Sequence, residues 1–207
     1  MAYKPILFNT AMVKAIMDGS KTQTRRLIKP HLHKNEYGWR VCIGKYSGEA
    51  YGIETYDDDE RSQGYIPHQY NIGDVLWVRE TWCHVKFGLG EWHYEYRADS
   101  ADPNKWSNGS FAEWRPSIHM PKAAARLFLR VTNVRIERLQ DMSAEDCAHD
   151  GGFAPEAIEA VGIAPLFGTL WDSTVKKDDL PRYGWDANPW VYVVEFERID
   201  RPKEWIV

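Results

Sequence analysis

The run PWVYVVEFERI, residues 189–199, is the strongest constraint the sequence places on its own fold. It is almost continuous in apolar and β-branched side chains. A strand with one wet face alternates apolar and polar residues, so this run reads as a strand buried on both faces. Such a strand needs cover on two sides, and the chain must build layers around it. ARLFLRVTNVRIERL (125–139) alternates instead and reads as one long bent strand, or two. VLWVRETW (75–82), WHYEYRA (92–98) and the short run KPILFN (4–9) supply further strands. Trp171, Trp185 and Trp190 are assigned to the core.

Helical segments are fewer and carry their own punctuation. Thr10 is read as an N-cap, its hydroxyl accepting from an amide of the first turn. Met12, Val13, Ile16 and Met17 then share a face, and Gly19 supplies the left-handed residue that ends the helix. TQTRRLI follows as a strand that Pro30 stops. Ser143 and Asp146 form a capping-box start for a helix to about Asp150, ended by Gly151-Gly152. Pro155–Val161 and Leu166–Lys176 read as two more helices. Residues 31–72, rich in Gly, Tyr and Asp, read as a long insertion with weak hairpins around Trp39–Ile43 and Tyr51–Tyr56 and a solvated acidic run, YDDDE. The expected class is α+β: a small mixed β-barrel with flanking helices, one domain over 1–207, with 31–72 inserted in it.

Charge is unevenly spread. The chain carries −4 overall, but residues 1–40 hold eight Lys/Arg against Asp18 and Glu36. A basic patch on an acidic body suits a confined anion site and not a long non-specific DNA track. The ten tryptophans and eleven tyrosines fit either a thick core or a groove for flat ligands. Three cysteines without a CxxC support neither a disulfide framework nor a zinc knuckle. His31 and His33 lack partners at a familiar spacing, so no metal and no cofactor is expected. With no apolar run near 18 residues and no signal peptide, the expectation is a soluble, cytoplasmic protein without a membrane partner.

The basic residues concentrate where the first helix gives way to a strand, in GSKTQTRR (19–26). Thr22, Thr24 and Arg26 share one strand face; Gln23, Arg25 and Leu27 share the other. With Lys21 at the turn, an ammonium, a hydroxyl and a guanidinium are available to a phosphate or a polarised carbonyl. The plainer reading is two cations at a helix C-terminus, each favoured there by about 0.3–1 kcal/mol, beside an ordinary strand threonine. Arg79, Glu80 and Trp82 have a similar double reading: a base-stacking, phosphate-contacting group, or a strand ion pair next to core tryptophans. Tyr94 and Tyr96 are stacking partners or core, and His119 is a cleft residue or a structural one.

GSKTQTRR resembles the ASCH-domain signature G-x-K-x-x-E-x-R, with Gly19, Lys21 and Arg26 in register and Thr24 in place of the glutamate. GDVLWVRETW and WVYVVEF resemble the family's second-strand block and last barrel strand. YRAD, RPSIHMP and ERLQDMSAEDCAHDG look like blocks of phage and prophage members. The resemblance implies a PUA-like barrel that recognises RNA or a nucleoside through a basic cleft beside the first helix. It implies substrate contacts at Gly19, Thr22 and Arg26; the residue reading adds Arg25, Arg79, Glu80, Trp82 and Tyr96 as further candidates.

The same stretch also resembles the G-x-K-T-x-T-x-R of small bacterial N4-acetylcytidine amidohydrolases, in which a lysine, the second threonine and a glutamate act together. Here Lys21 and Thr24 match, and the carboxylate falls to Asp150 first, with His149 and Glu145 as alternatives. In that chemistry a base activates the hydroxyl, and lysine serves only when burial or a neighbouring cation lowers its pKa. The leading expectation is thus an RNA- or modified-nucleoside-binding protein. A hydrolase of an acylated base, a metal-independent ribonuclease using His149 or His119, and a non-catalytic phage structural protein are the alternatives.

Overall fold

The computed structural model describes residues 1–28, 39–43, 50–56, 62–67, 69–86, 90–100 and 113–205, with backbone alone for 39–43, 50–56 and 62–67. The architecture is mixed α/β, with sheets of five, three and two strands and several helices. The chain divides into two compact units: Met1–Thr22 with Gly73–Arg130 and Phe196–Val207, and Gln23–Ile72 with Val131–Glu195.

In the first unit, β1 (Tyr3–Leu7) leads through Asn9 into α1 (Thr10–Asp18). The Asn9 side chain, and not Thr10, caps this helix, accepting from the Met12 amide at 2.9 Å. Both residues are good caps, and the chain turns helical one residue earlier than the sequence suggests. Val13 and Ile16 are buried, whereas Met17 stays exposed. Gly19, at φ 85°, ends the helix in the left-handed region. Four strands of the second unit intervene in chain order and are described below, so the first unit continues with β6 (Val75–Arg79), β7 (Trp82–Lys86), β8 (Trp92–Tyr96) and the start of β9 (Phe128–Arg138).

β1 runs parallel to β6, pairing Ile6 with Val78; β6 pairs antiparallel with β9, Leu76 opposite Leu129; β7 and β8 form an antiparallel pair. The strand expected over 75–82 therefore breaks at Glu80. Its amide donates to Met120 Sδ (3.1 Å) instead of a ladder carbonyl, and its carboxylate is taken by Arg126. The core gathers Val75, Trp77, Trp82, Met120, Phe128 and Trp205. Trp205 meets Tyr3, Trp77 and Phe128 with ring centroids at 5.3, 5.8 and 5.0 Å. Tilted aromatic pairs of this kind contribute about 0.5–1.5 kcal/mol each beyond their buried area.

In the second unit, β2 (Gln23–Leu27) pairs antiparallel with β10 (Trp190–Ile199), placing Arg25 opposite Val193 and Leu27 opposite Val191. Tyr192 is 6% exposed, and Val191, Val193 and Val194 are fully enclosed, so β10 is covered on both faces as its apolar run requires. β3 (Trp39–Ile43), β4 (Ala50–Tyr56) and β5 (Ser62–Pro67) make an antiparallel three-stranded sheet. β3 and β4 coincide with the expected hairpin segments; Asp57–Glu60 of the acidic run, His31 and His33 lie outside the described residues.

The helices of this unit are α2 (Ala144–Gly151), α3 (Pro155–Val161), α4 (Thr169–Thr174) and α5 (Leu180–Tyr183). The capping box is formed: Ser143 Oγ accepts from the Asp146 amide (3.0 Å), and Asp146 accepts from the Ser143 amide (3.1 Å). The helix expected from Leu166 begins as a π-helical turn at Ala164–Gly168 before α4. Leu139, Met142, Cys147, Phe167, Trp171 and Val191 are among the core residues; Trp185 packs on them half-buried, and Trp190 is half-buried in β10. No helix among the described residues is long and apolar enough to cross a membrane.

Candidate functional site

The motif residues of the first unit follow from the end of α1. Gly19 is exposed at the left-handed cap, and the Lys21 amide returns to the Ala15 carbonyl at 2.9 Å. That hydrogen bond turns the Lys21 side chain inward. It is 2% exposed, with its ammonium 5.5 Å from the centre of the Phe8 ring. An ammonium so withdrawn from water is far from the solvated helix-end cation of the plainer reading. Thr22 is exposed, and its carbonyl accepts from the Phe196 amide at 2.8 Å.

In the second unit, strand alternation sends successive β2 side chains to opposite faces. Thr24 is 3% exposed, opposite Val194. The Arg25 side chain is fully enclosed by three carboxylates: Glu137 (3.1 and 2.5 Å), Asp146 (3.3 Å) and Asp150 (3.3 Å). Asp150 also accepts from the Arg25 amide at 2.9 Å. Arg135 continues the network to Glu137 (3.0 Å), Asp146 (2.9 Å) and Glu195. Gln23 donates to Asp146 at 2.7 Å. Burial raises the Asp146 pKa, but the bonds from Gln23 and Ser143 and the charge of Arg25 outweigh it and bring it down to about 2.

Arg25 thus ties β2 to β9 and α2, and Asp150, 2% exposed, is its counter-ion. Glu145 is exposed in the first turn of α2, where a carboxylate suits the helix dipole. His149 is half-buried on the same helix.

Arg26 takes the other face. Burial lowers its pKa, opposed by Tyr70 and Asp150, and burial raises that of Tyr70 against the pull of Arg26. Beside it opens a cavity of about 330 Å³. Residues 25–27 of β2 form one wall; Trp171, Lys176, Asp179 and Tyr183 face it. Trp171 is fixed by a bond from its indole nitrogen to the Tyr183 carbonyl at 2.7 Å. The sequence reading assigned Trp171 to the core, which is correct for most of its surface, and passed over Tyr70, Lys176 and Tyr183. No local signal marks these three, which lie more than forty positions from β2 in the sequence.

Arg79, Glu80, Trp82 and Tyr96 form a separate group in the first unit. The expected Arg79–Glu80 strand pair is not made. Arg79 lies 5.5 Å over Trp77 and donates to the Ile118 carbonyl, because alternation turns it away from its neighbour. Glu80, 1% exposed, takes a two-pronged bond from Arg126 at 2.8 and 2.9 Å. Burial raises the Glu80 pKa, and the Arg126 contacts offset part of that rise. Arg126 also bonds Asp99 (2.5 Å) and sits 3.9 Å over the Tyr96 ring.

Tyr96 donates to the Ala124 carbonyl at 2.6 Å, and burial pushes its phenol up to about 12. Trp82 packs on Tyr94, centroids 5.7 Å apart, with Arg115 over its ring. Tyr94 and Tyr96 pack here and also line a cavity of about 260 Å³ with Asp99, Trp114 and Arg126. Arg126 organises this cluster and has no motif to announce it. His119 is exposed in a short turn. Among the described residues, no three His, Cys, Asp or Glu side chains converge as a metal site.

No family model matches the sequence, and no curated protein is significantly similar to it. Among solved structures, the chain is similar to the crystal structure of a hypothetical protein, PH0355, at 14% identity and a TM-score of 0.35, with 96% of this chain and 100% of that one covered.

Proposed function

We propose that this chain is an RNA- or nucleoside-binding protein of the ASCH kind, built on a PUA-like barrel, and that its ligand enters beside β2. The observation that carries the reading is the cavity at Arg26. About 330 Å³ lies within the range of small-molecule sites, and Arg26, Lys176 and Tyr183 supply cationic and aromatic groups to it. A nucleotide needs that combination: a flat apolar face, a polar edge and a cation for its phosphate. The test is calorimetric titration with single-stranded RNA and a panel of ribonucleosides at low and high salt, on the natural chain and on Arg26→Ala. Salt-sensitive binding that Arg26→Ala weakens about fivefold or more supports the reading. No binding to either ligand class at low salt would leave the structural-protein alternative.

The deep burial of Lys21 favours a second reading, hydrolysis of an acylated base. Burial is one of the two conditions, with a neighbouring cation, that fit a lysine to act as a base near neutral pH, and Lys21 is 2% exposed. Thr24 would be the nucleophile. Asp150 suits the third role poorly while it holds Arg25. Loss of acetylcytidine turnover in Lys21→Ala and Thr24→Ala with binding retained would establish the hydrolase; absence of turnover in the natural protein would remove it.

A further inference from the structure

Tyr183 lines more than the cavity at Arg26. A second cavity, of about 260 Å³, shares that tyrosine and is lined also by Ile28, Arg138, Arg182, Pro189 and Trp190, all in the second unit. Arg138 lies over the Trp190 ring at 4.2 Å and donates to the Asn188 carbonyl at 3.1 Å. Its planar charge is held in place by an aromatic face and a backbone acceptor. Arg182 is exposed and makes no ion pair among the described residues. Among the described residues, no carboxylate lines this second cavity, and Asp179 is the one that lines the first. Two guanidiniums beside a tyrosine and a tryptophan, uncompensated by acid, form a site for an anion attached to a flat ring.

The geometry points to a chain of nucleotides as the ligand, with one nucleoside at Arg26 and its neighbour, with the linking phosphate, at Arg138, Arg182 and Trp190. This rests on the binding reading above and extends it, because a lone nucleoside would leave the second cavity and its two cations unused. Single-stranded nucleic acid fits better than an acidic peptide. Both carry negative charge, but only the nucleic acid brings a planar ring with each charge, to stack on aromatic or guanidinium planes. Arginine forks suit phosphate oxygens in pairs.

The experiment compares a cytidine monophosphate with a single-stranded RNA hexamer by titration, on the natural chain, on Arg182→Ala and on Arg138→Gln. Arg182 is exposed, so its removal leaves folding intact. An unchanged melting temperature checks this for both variants. The hexamer is expected to bind at least about tenfold tighter than the monophosphate. Each variant should weaken the hexamer about fivefold or more, lower its salt slope by about 0.7 and leave the monophosphate within about twofold. Equal affinity for hexamer and monophosphate, or equal loss of both in the variants, overturns the second subsite while the reading at Arg26 stands. Binding of neither overturns both.

Discussion

Replacing Arg25 with methionine removes a fully enclosed cation and leaves three carboxylates behind, but they do not suffer equally. Glu137 and Asp146 are 16% and 20% exposed and keep Arg135 at 3.0 and 2.9 Å. Asp150 is buried and loses the Arg25 guanidinium, while the amide of residue 25 and the charge of Arg26 still act on it. Breaking a buried pair from one side costs about 3–5 kcal/mol, and Arg26 places this case near the lower end. For a chain of this length, that is a fall in melting temperature of roughly 6–12 °C.

Asp150→Asn is the milder change, because Arg25 keeps two carboxylates and the amide oxygen still accepts from the backbone. It should cost no more than about 1.5 kcal/mol. The double variant Arg25→Met/Asp150→Asn removes the Asp150 charge as well and should recover roughly half of the single-variant loss, a coupling of about 1.5–3 kcal/mol. Thermal unfolding followed by circular dichroism measures all three. Strict additivity, or a loss under about 1 kcal/mol for Arg25→Met, would refute the network as the fastening of β2.

Two further outcomes follow from local geometry. The Asp146 pKa is lowered from 3.8 to about 2, so its contribution is complete above pH 4 and is lost as pH falls through 2. With its side chain 20% exposed, solvent screening reduces that contribution to about 1–2 kcal/mol. The stability gap between the natural chain and Asp146→Asn, read from urea midpoints at pH 5 and pH 2.5, should narrow by about two thirds of that amount; a constant gap contradicts it. Gly19→Ala meets no atom within 4 Å but must hold φ 85°. It should cost about 1 kcal/mol, or roughly 2–4 °C of melting temperature, and an unchanged melting temperature would show that the cap relaxes.

Local signals were legible in the sequence and distant ones were not. The apolar run of β10, the box at Ser143 and the stop at Gly19 each depend on residues a few positions apart, and each appears where the sequence places it. The choice between Asn9 and Thr10 turned on one residue of helix start, which two good caps leave open. The break at Glu80 could not be read from VLWVRETW, because its causes are Met120 and Arg126, some forty residues on. Likewise, nothing in GSKTQTRR tells that Arg25 meets acids more than a hundred positions away. Charge density marked the stretch; the partners that divide its labour come from other elements.

Two identical side chains stand next to each other in β2 with unlike fates: one interred among acids, the other beside a cavity. Their roles are set by the parity of the strand and not by their chemistry. Inserting or deleting a single residue ahead of them would exchange inside for outside and strand both. Lysine could stand in for Arg26, as one charge for another, but not for Arg25, whose flat fork must reach several oxygens at once.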